Sequence, residues 1–373
     1  MEQLQEAFHK YGTLRFKQIT SNLLLGIDIG GSLAKLCIVV LKTSIDEIAY
    51  IRSLKAFDEI EAPDYMIFLT LCQTPRSDNM ICDNDCNSSN SSNNTTNNNS
   101  IEFPLLFKLT SKYNIKKVDA TGGGSEKFNN FVKKQLNIEF QKHDELISLV
   151  NGYLFLNQFN PFYKVENSKD IVRVPSTDLT FPHIAVNIGS GVSVLRVDSP
   201  NYKDVHRVAG TIMGGGTLLG LAKLLIGVDN YNDILELAQK GDNRKVDLTV
   251  KDIYGNQDKV GGDVVDLAGD VVASSFGKIH ELIGVNKMDN FSKEDIAMGL
   301  LSMICFHITQ IAKLVAEENN INHILFFGNF TRRGSFAVLC LNQCMKFWEN
   351  KFKIRFNYYD GYLGSIGTLV EEK

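Results

Sequence analysis

Apolar runs alternate with glycine turns and amphipathic stretches along most of the chain, which predicts a mixed α/β fold. Leu23 to Val40 (LLLGIDIGGSLAKLCIVV) reads as two apolar strands around a glycine turn, and His183 to Val197 (HIAVNIGSGVSVLRV) as a second such unit. Between them, KKVDATGGG ends a buried strand in glycines. Ser125 can then cap a helix with Phe128, Phe131, Val132 and Leu136 on one face. Leu146, Leu149, Val150, Tyr153 and Leu154 follow at the spacing of a further amphipathic helix. From Glu294 to Glu317 a long helix is expected, with Ile296, Leu300, Leu301, Ile304, Ile308, Ile311 and Val315 on its apolar face; core packing is the default reading of such a stripe.

The two strand–turn–strand units look like an internal repeat. Ile27-Asp28-Ile29-Gly30-Gly31-Ser32 aligns with Val186-Asn187-Ile188-Gly189-Ser190-Gly191: an apolar residue, Asp or Asn, Ile, Gly, then small residues. Such turns let backbone N–H groups approach an oxyanion, with small hydroxyls as further donors. Glycine placement points the same way. Ten of the 29 glycines fall in four groups, at 30–31, 122–124, 189/191 and 214–216, and none lies between Gly31 and Gly122. Three consecutive glycines before a helix are costly without a close ligand, so Gly214, Gly215 and Gly216 are expected to deliver phosphate or substrate to a helix N-terminus.

Composition narrows the classes. A chain of 373 residues suggests two domains, and a net charge of −4 without a long basic run argues against a sequence-independent hold on nucleic acid. No run of about 18 consecutive apolar residues occurs, so no membrane span is expected, and the N-terminus lacks a signal-peptide core, which makes a cytoplasmic enzyme the default. The seven cysteines are scattered and odd in number, and buried thiols are the preferred reading. The stretch 83–100 (DNDCNSSNSSNNTTNNNS) has almost nothing to place in a core and reads as a disordered insertion. The expected organisation is an N-terminal extension over 1–22, a first lobe over 23–180 carrying that insert, and a second lobe over 181–373.

GIDIGGSLAKL, DATGGGSEKF, HDELISLVNGYL, VNIGSGVSVL, HRVAGTIMGGGTLLGLAKLL, KDIYGN, VASSFGK, LFFGNFTR and GYLGSIGTL occur here in one order. Together they resemble the eukaryotic-type (type II) pantothenate kinases of the actin, sugar-kinase and heat-shock-chaperone ATPase superfamily. The resemblance runs from about Leu24 to Leu369 apart from the insert; Ser32 stands where the family usually has Thr. It implies duplicated actin-like (ribonuclease H-like) lobes with an ATP cleft between them, and ATP- and Mg²⁺-dependent phosphorylation of pantothenate. It also implies inhibition by acetyl-CoA and a homodimer. A sugar kinase of the same superfamily and a catalytically silent CoA-sensing protein are the alternatives.

Glu145 matches the family's catalytic Glu and is expected to be the general base. By its residues alone the preferred reading is a first-turn carboxylate complementing the helix dipole, with Asp144 as the cap; the resemblance turns it to catalysis. Asp28 between two apolar residues is costly to bury unless paired or bound to a cation, which makes it the candidate Mg²⁺ carboxylate; a turn-forming Asp is the alternative. Lys35 is a candidate phosphate-facing charge or a solvated strand lysine. Ser190, Ser193 and Arg207 match family positions that contact pantothenate or acetyl-CoA; the bland reading of Arg207 is a surface partner for Asp204. Gly30, Gly31, Ser32, Gly122, Gly123, Gly189 and Gly191, with Gly214 to Gly216, are the ATP and phosphate candidates. Gly328 and Asn329 are expected to border the nucleotide base.

Overall fold

The computed structural model describes residues 14–19, 23–30, 33–73, 104–159, 161–255, 259–260, 267–280, 291–332, 335–348, 351–359 and 361–372. They divide into two compact units, one drawn from 1–159 and 361–373 and the other from 160–360.

In the first unit, strand β1 (Leu14–Phe16) precedes a six-stranded sheet. The expected hairpin forms from β2 (Leu24–Ile29) and β3 (Leu33–Leu41). On one side β5 (Tyr65–Gln73) and β4 (Asp58–Glu61) continue it antiparallel. On the other, β6 (Lys117–Thr121) and β7 (Glu139–Lys142) add in parallel, giving the order β4-β5-β3-β2-β6-β7. Ile51 of α1 (Ile45–Leu54), Leu105, Leu106 and Leu109 of α2 (Pro104–Lys112), and Phe128 and Val132 of α3 (Gly123–Leu136) close the core over Leu25, Ile27, Leu36 and Ile38. Helix α3 starts two residues before Ser125, whose hydroxyl donates to the Gly122 carbonyl from inside the first turn and does not cap. Helix α4 (Glu145–Leu156) follows β7, and its Asp144 cap accepts from the Ile147 amide as expected.

The second unit repeats the plan. Strands β8 (Phe162–Glu166), β9 (Asp170–Val174), β10 (His183–Ile188), β11 (Val192–Val197), β12 (Val205–Thr211), β13 (His323–Phe327) and β14 (Lys353–Asn357) form a sheet of order β12-β11-β10-β13-β14-β8-β9. Its antiparallel triplet β12-β11-β10 followed by parallel β13 and β14 matches β5-β3-β2 followed by β6 and β7 in the first unit. This shared order is the duplicated actin-like, ribonuclease H-like topology anticipated from the repeat. Both central strands are apolar on both faces, as a covered sheet requires, and each has a partly exposed polar residue at the fifth position, Asp28 in β2 and Asn187 in β10. Helices α5 (Gly215–Ile226), α6 (Tyr231–Lys240), α7 (Lys293–Glu318) and α8 (Phe336–Trp348) pack on this sheet.

The long helix α7 is capped by Ser292, which accepts from the Asp295 amide. It has the length and composition of a membrane span, but half of its most apolar window is buried within the protein, where Ile296, Leu300, Ile304 and Ile308 join the core. Cys305, Cys340 and Cys344 lie here; burial pushes the Cys340 and Cys344 thiols up to about 12, so they stay protonated at neutral pH.

The units are divided differently from the lobes drawn on the sequence. Residues 162–174 belong with the second sheet because β8 pairs with β14, and Tyr163 stacks on Phe356 with ring centroids 5.5 Å apart. The C-terminal residues return to the first unit as α9 (Leu363–Gly367) and β15 (Val370–Glu372), which pairs antiparallel with β1. The insert 83–100 and most of the extension 1–22 lie outside the described residues; Leu14–Phe16 of the extension is strand β1.

Candidate active site

In the first unit the candidate chemistry gathers at the end of β2. Asp28 and Lys35 are Cα partners across the hairpin, and the Lys35 ammonium donates to Asp28 Oδ2 at 3.2 Å. Both side chains are largely buried, so Asp28 is the paired carboxylate that a buried strand can tolerate, and Lys35 is not a solvated strand lysine. Burial raises the Asp28 pKa above the ordinary carboxylate value, and the charge and hydrogen bond of Lys35 oppose that rise.

Two glycines enclose the carboxylate. Gly122 has φ +82°, and a Cβ there would lie 2.6 Å from both Asp28 Oδ1 and the Ile29 carbonyl oxygen. A Cβ on Gly364 of α9 would lie 2.9 Å from Asp28 Oδ2. Gly123, by contrast, faces open space, so the next position in the chain leaves room beside the α3 N-terminus. Gly30 is half-exposed at the turn; Gly31 and Ser32 lie outside the described residues.

Glu145 opens α4. Its surface is open to solvent, yet the surrounding protein partly desolvates the carboxyl, and its pKa is raised by that desolvation first, then by the negative charge of Asp28. Lys35 acts in the opposite direction. Asp28, Lys35 and Glu145 therefore form one electrostatic group, and Asp144 does the capping, which leaves Glu145 free for other work.

The position of α4 is set by backbone contact with α9. A Cβ on Gly152 would fall 1.9 Å from the Leu363 carbonyl oxygen, and one on Gly367 would fall 1.6 Å from that of Ser148. Sequence reasoning assigned no role to Gly152, Gly364 or Gly367. GYLGSIGTL carries three glycines, each three residues from the next, but nothing local says what approaches them.

In the second unit Asn187 and Ser193 occupy the register of Asp28 and Lys35. Gly328, at φ +109°, stands to Asn187 as Gly122 stands to Asp28: its Cβ would lie 2.4 Å from the Ile188 carbonyl oxygen and 2.8 Å from Asn187 Oδ1. Next to it, Asn329 accepts from Arg332 Nε at 3.0 Å. Arg207 turns toward Ser193, with Nε donating to Oγ at 3.4 Å, while Asp204 accepts from Ser199. The structure thus brings Ser193 and Arg207 together on β11 and β12.

The triple glycine has a different first use from the one expected. Gly215 N–H donates to the Gly189 carbonyl at 2.9 Å and Gly216 N–H to that of Ser190 at 3.0 Å; Gly189 N–H donates to the Gly191 carbonyl at 2.9 Å. The first two bonds hold one turn against the other and the third closes the 189–191 turn on itself, so none of the three amides is a free donor for an anion. A Cβ on Gly214 would meet Ser190 and Gly191 at 2.8 to 2.9 Å, so the glycines are needed for backbone contact. Thr211, which precedes them, shares a 2.9 Å hydrogen bond with His307 of α7, a partner 96 residues away that no local pattern points to.

Mg²⁺ commonly takes one or two carboxylates and keeps its remaining places for water and phosphate. The first unit fits that donor set: Asp28 is a carboxylate whose burial calls for positive charge, and Glu145 is close enough to feel it. Among the described residues no group of three or more His, Cys, Asp or Glu side chains forms a denser metal site.

A profile of the Fumble family matches residues 24–371. Pantothenate kinase 1 of Arabidopsis thaliana is 39% identical over 259 residues, covering 68% of this chain and 65% of its own length. The pantothenate kinase of Schizosaccharomyces pombe is 36% identical over 270 residues, covering 69% and 64%. Pantothenate kinase 2 of Arabidopsis thaliana is 37% identical over 260 residues, covering 68% of this chain and 28% of its own. The chain thus spans less than two thirds of the length of each of these relatives. Among solved structures, a glucokinase from Balamuthia mandrillaris in complex with glucose aligns over 99% of this chain and 98% of its own at 12% identity, with a TM-score of 0.41, too low to bear on fold or function. The profile match runs from the first residue of β2 to within β15 and takes in both repeated hairpins; the chain belongs to the Fumble family.

Proposed function

We propose that this chain is an ATP-dependent kinase that phosphorylates pantothenate to 4′-phosphopantothenate, the first committed step of coenzyme A synthesis. The observation that carries the reading is Glu145, an uncommitted carboxylate at the start of α4 whose pKa is raised beside the Asp28–Lys35 pair. The kinase names of the relatives supply the substrate.

Phosphoryl transfer asks the protein for position and for stabilisation of charge. Glu145 takes the proton from the primary hydroxyl of pantothenate as that oxygen bonds to the γ-phosphorus of ATP. The bond from that phosphorus to the β–γ bridging oxygen breaks, and ADP leaves. A base with a raised pKa is better matched to this proton than an ordinary carboxylate. Lys35 carries positive charge toward the phosphates, and Asp28 would hold Mg²⁺, which neutralises phosphate charge when bound. Arg207 can engage the pantothenate carboxylate with its forked donors, with Ser193 and Ser190 adding hydroxyls. Inhibition by acetyl-CoA and a homodimer belong to the same proposal and follow from the family resemblance; a cytoplasmic location is proposed with them.

The test is ATP-coupled turnover on a panel of pantothenate, pantetheine and sugars. Turnover of pantothenate is expected. Turnover of a sugar alone would assign the chain to sugar phosphorylation, and ATP or acetyl-CoA binding without any turnover would make it a silent sensor.

A further inference from the structure

Lys17 lies outside the span that the family profile matches, yet it reaches the strand next to the catalytic helix. Its ammonium donates to Asp119 Oδ1 of β6 at 2.6 Å. The same oxygen is 2.5 Å from His143 Nε2, and Lys17 Nζ is 3.4 Å from that ring nitrogen. A carboxylate oxygen only accepts, so the 2.5 Å contact assigns the proton to Nε2, and Asp119 gathers both donors. Asp119 is largely buried, and Lys17 and His143 are each about three-tenths exposed.

His143 is the last residue before the Asp144 cap and the second before Glu145. Its backbone is fixed to β6 twice: its amide donates to the Ala120 carbonyl at 2.8 Å, and Thr121 Oγ1 donates to its carbonyl at 3.0 Å. Its side chain adds the third tie, through Asp119 to Lys17. The segment that carries Lys17 is itself held. β1 pairs with β15, the Lys17 amide donates to the Leu369 carbonyl at 2.9 Å, and Phe16 is buried with its ring 4.5 Å from that of Phe155 near the far end of α4. Residues 14–17 therefore grip α4 at both ends, by an apolar contact at Phe155 and by an ionic one just ahead of Glu145.

We infer that Lys17, Asp119 and His143 are positioning residues for Glu145, and that residues 14–17 are a strap that fixes the start of α4 in its working place. Lys17 touches no reacting atom. Its ammonium is the cation that lets Asp119 be largely buried and hold His143, and His143 sets where the helix begins. This inference rests on the reading of Glu145 as the general base.

The test compares the full chain with Lys17→Met, Lys17→Arg and Asp119→Asn, measuring kcat, KM for ATP and hydrogen exchange at the Ile147 and Ser148 amides. Lys17→Met and Asp119→Asn are expected to lower kcat about ten-fold with KM for ATP within about two-fold, because geometry at the base is lost while nucleotide binding is not. Exchange at the first turn of α4 should rise while exchange in α3 stays as in the wild type. Lys17→Arg should restore both. Should Lys17→Met fail to fold, Asp119→Asn carries the comparison. Unchanged kcat and unchanged first-turn exchange would overturn the inference, as would faster exchange spread evenly over α3 and α4, which marks mere destabilisation. A wild-type chain that turns over no acceptor would refute the proposed function, and the exchange data would still decide whether the strap holds α4.

Discussion

At the end of β2 Asp28 faces Lys35 across the hairpin, and at the end of β10 Asn187 faces Ser193 in the same register. Behind each acid or amide stands a glycine of positive φ, Gly122 at +82° and Gly328 at +109°, pressed on the carbonyl of the following isoleucine. The backbones match closely, and the side chains differ by two charges. A buried carboxylate requires a cation, so the first junction recruits Lys35 and has a use for a metal. A buried amide needs only hydrogen-bond partners, so the second can present neutral groups and leave charge to Arg207 on the neighbouring strand. Under the proposed function one scaffold, copied, would serve proton and phosphate chemistry in one unit and ligand binding in the other.

The sharpest way to break this contrast is Glu145→Gln, which should lower turnover about 10³-fold while ATP still binds, as seen by calorimetry. Retained turnover would remove the first unit's claim to the chemistry. The same variant carries a pH signature. Because the folded carboxyl has a raised pKa, its contribution to stability is full below the ordinary carboxylate range and is lost as pH rises through the raised value. Glu145→Gln removes that loss. Thermal melts should therefore show the variant more stable than wild type at about pH 7 and equal to it near pH 4.

Exchanging the two junctions is the next test. Asp28→Asn makes the first resemble the second and should cost about 100-fold in kcat, with a weaker dependence on Mg²⁺; Asn187→Asp should cost only a few-fold. Equal losses in steady-state assays would mean that charge does not distinguish the units. Gly122→Ala and Gly328→Ala probe what the junctions share. Each places a Cβ within 2.6 Å of a carbonyl oxygen at a positive φ, and each should lower unfolding stability by about 2–3 kcal/mol in denaturant titrations. A large difference between the two would break the structural equivalence. Arg207→Ala should leave kcat little changed and raise KM for pantothenate about ten-fold, about 1.4 kcal/mol.

Much of the first junction was legible in advance. Asp28 between isoleucines called for a partner or a cation, and Asp144 was legible as the helix cap; that Lys35 is the partner was not, since Lys35 read as phosphate-facing or solvated. Asn187 could be matched to Asp28 by alignment alone. The triple glycine was half legible: three glycines said that something comes close, and the structure shows that what comes close is the backbone of Gly189 and Ser190. Arg207 read as well toward Asp204 as toward a ligand until β11 and β12 paired and set it on Ser193. Gly364 and the Lys17–Asp119–His143 group gave no usable signal, because their partners lie far away in the chain.

The sequence by itself determined the strands, the turns, the helices of recognisable period and the fact of duplication. Those features depend on spacings of two to four residues and on the conformational range of single residue types, which are written locally. Only the tertiary structure decided which carbonyl each glycine meets, that the last residues of the chain return to the first unit, and that β1 pairs with β15. Apolar faces and backbone donors are chemically alike wherever they occur, so the choice among them is made by the packing of the whole chain and not by any short stretch of it.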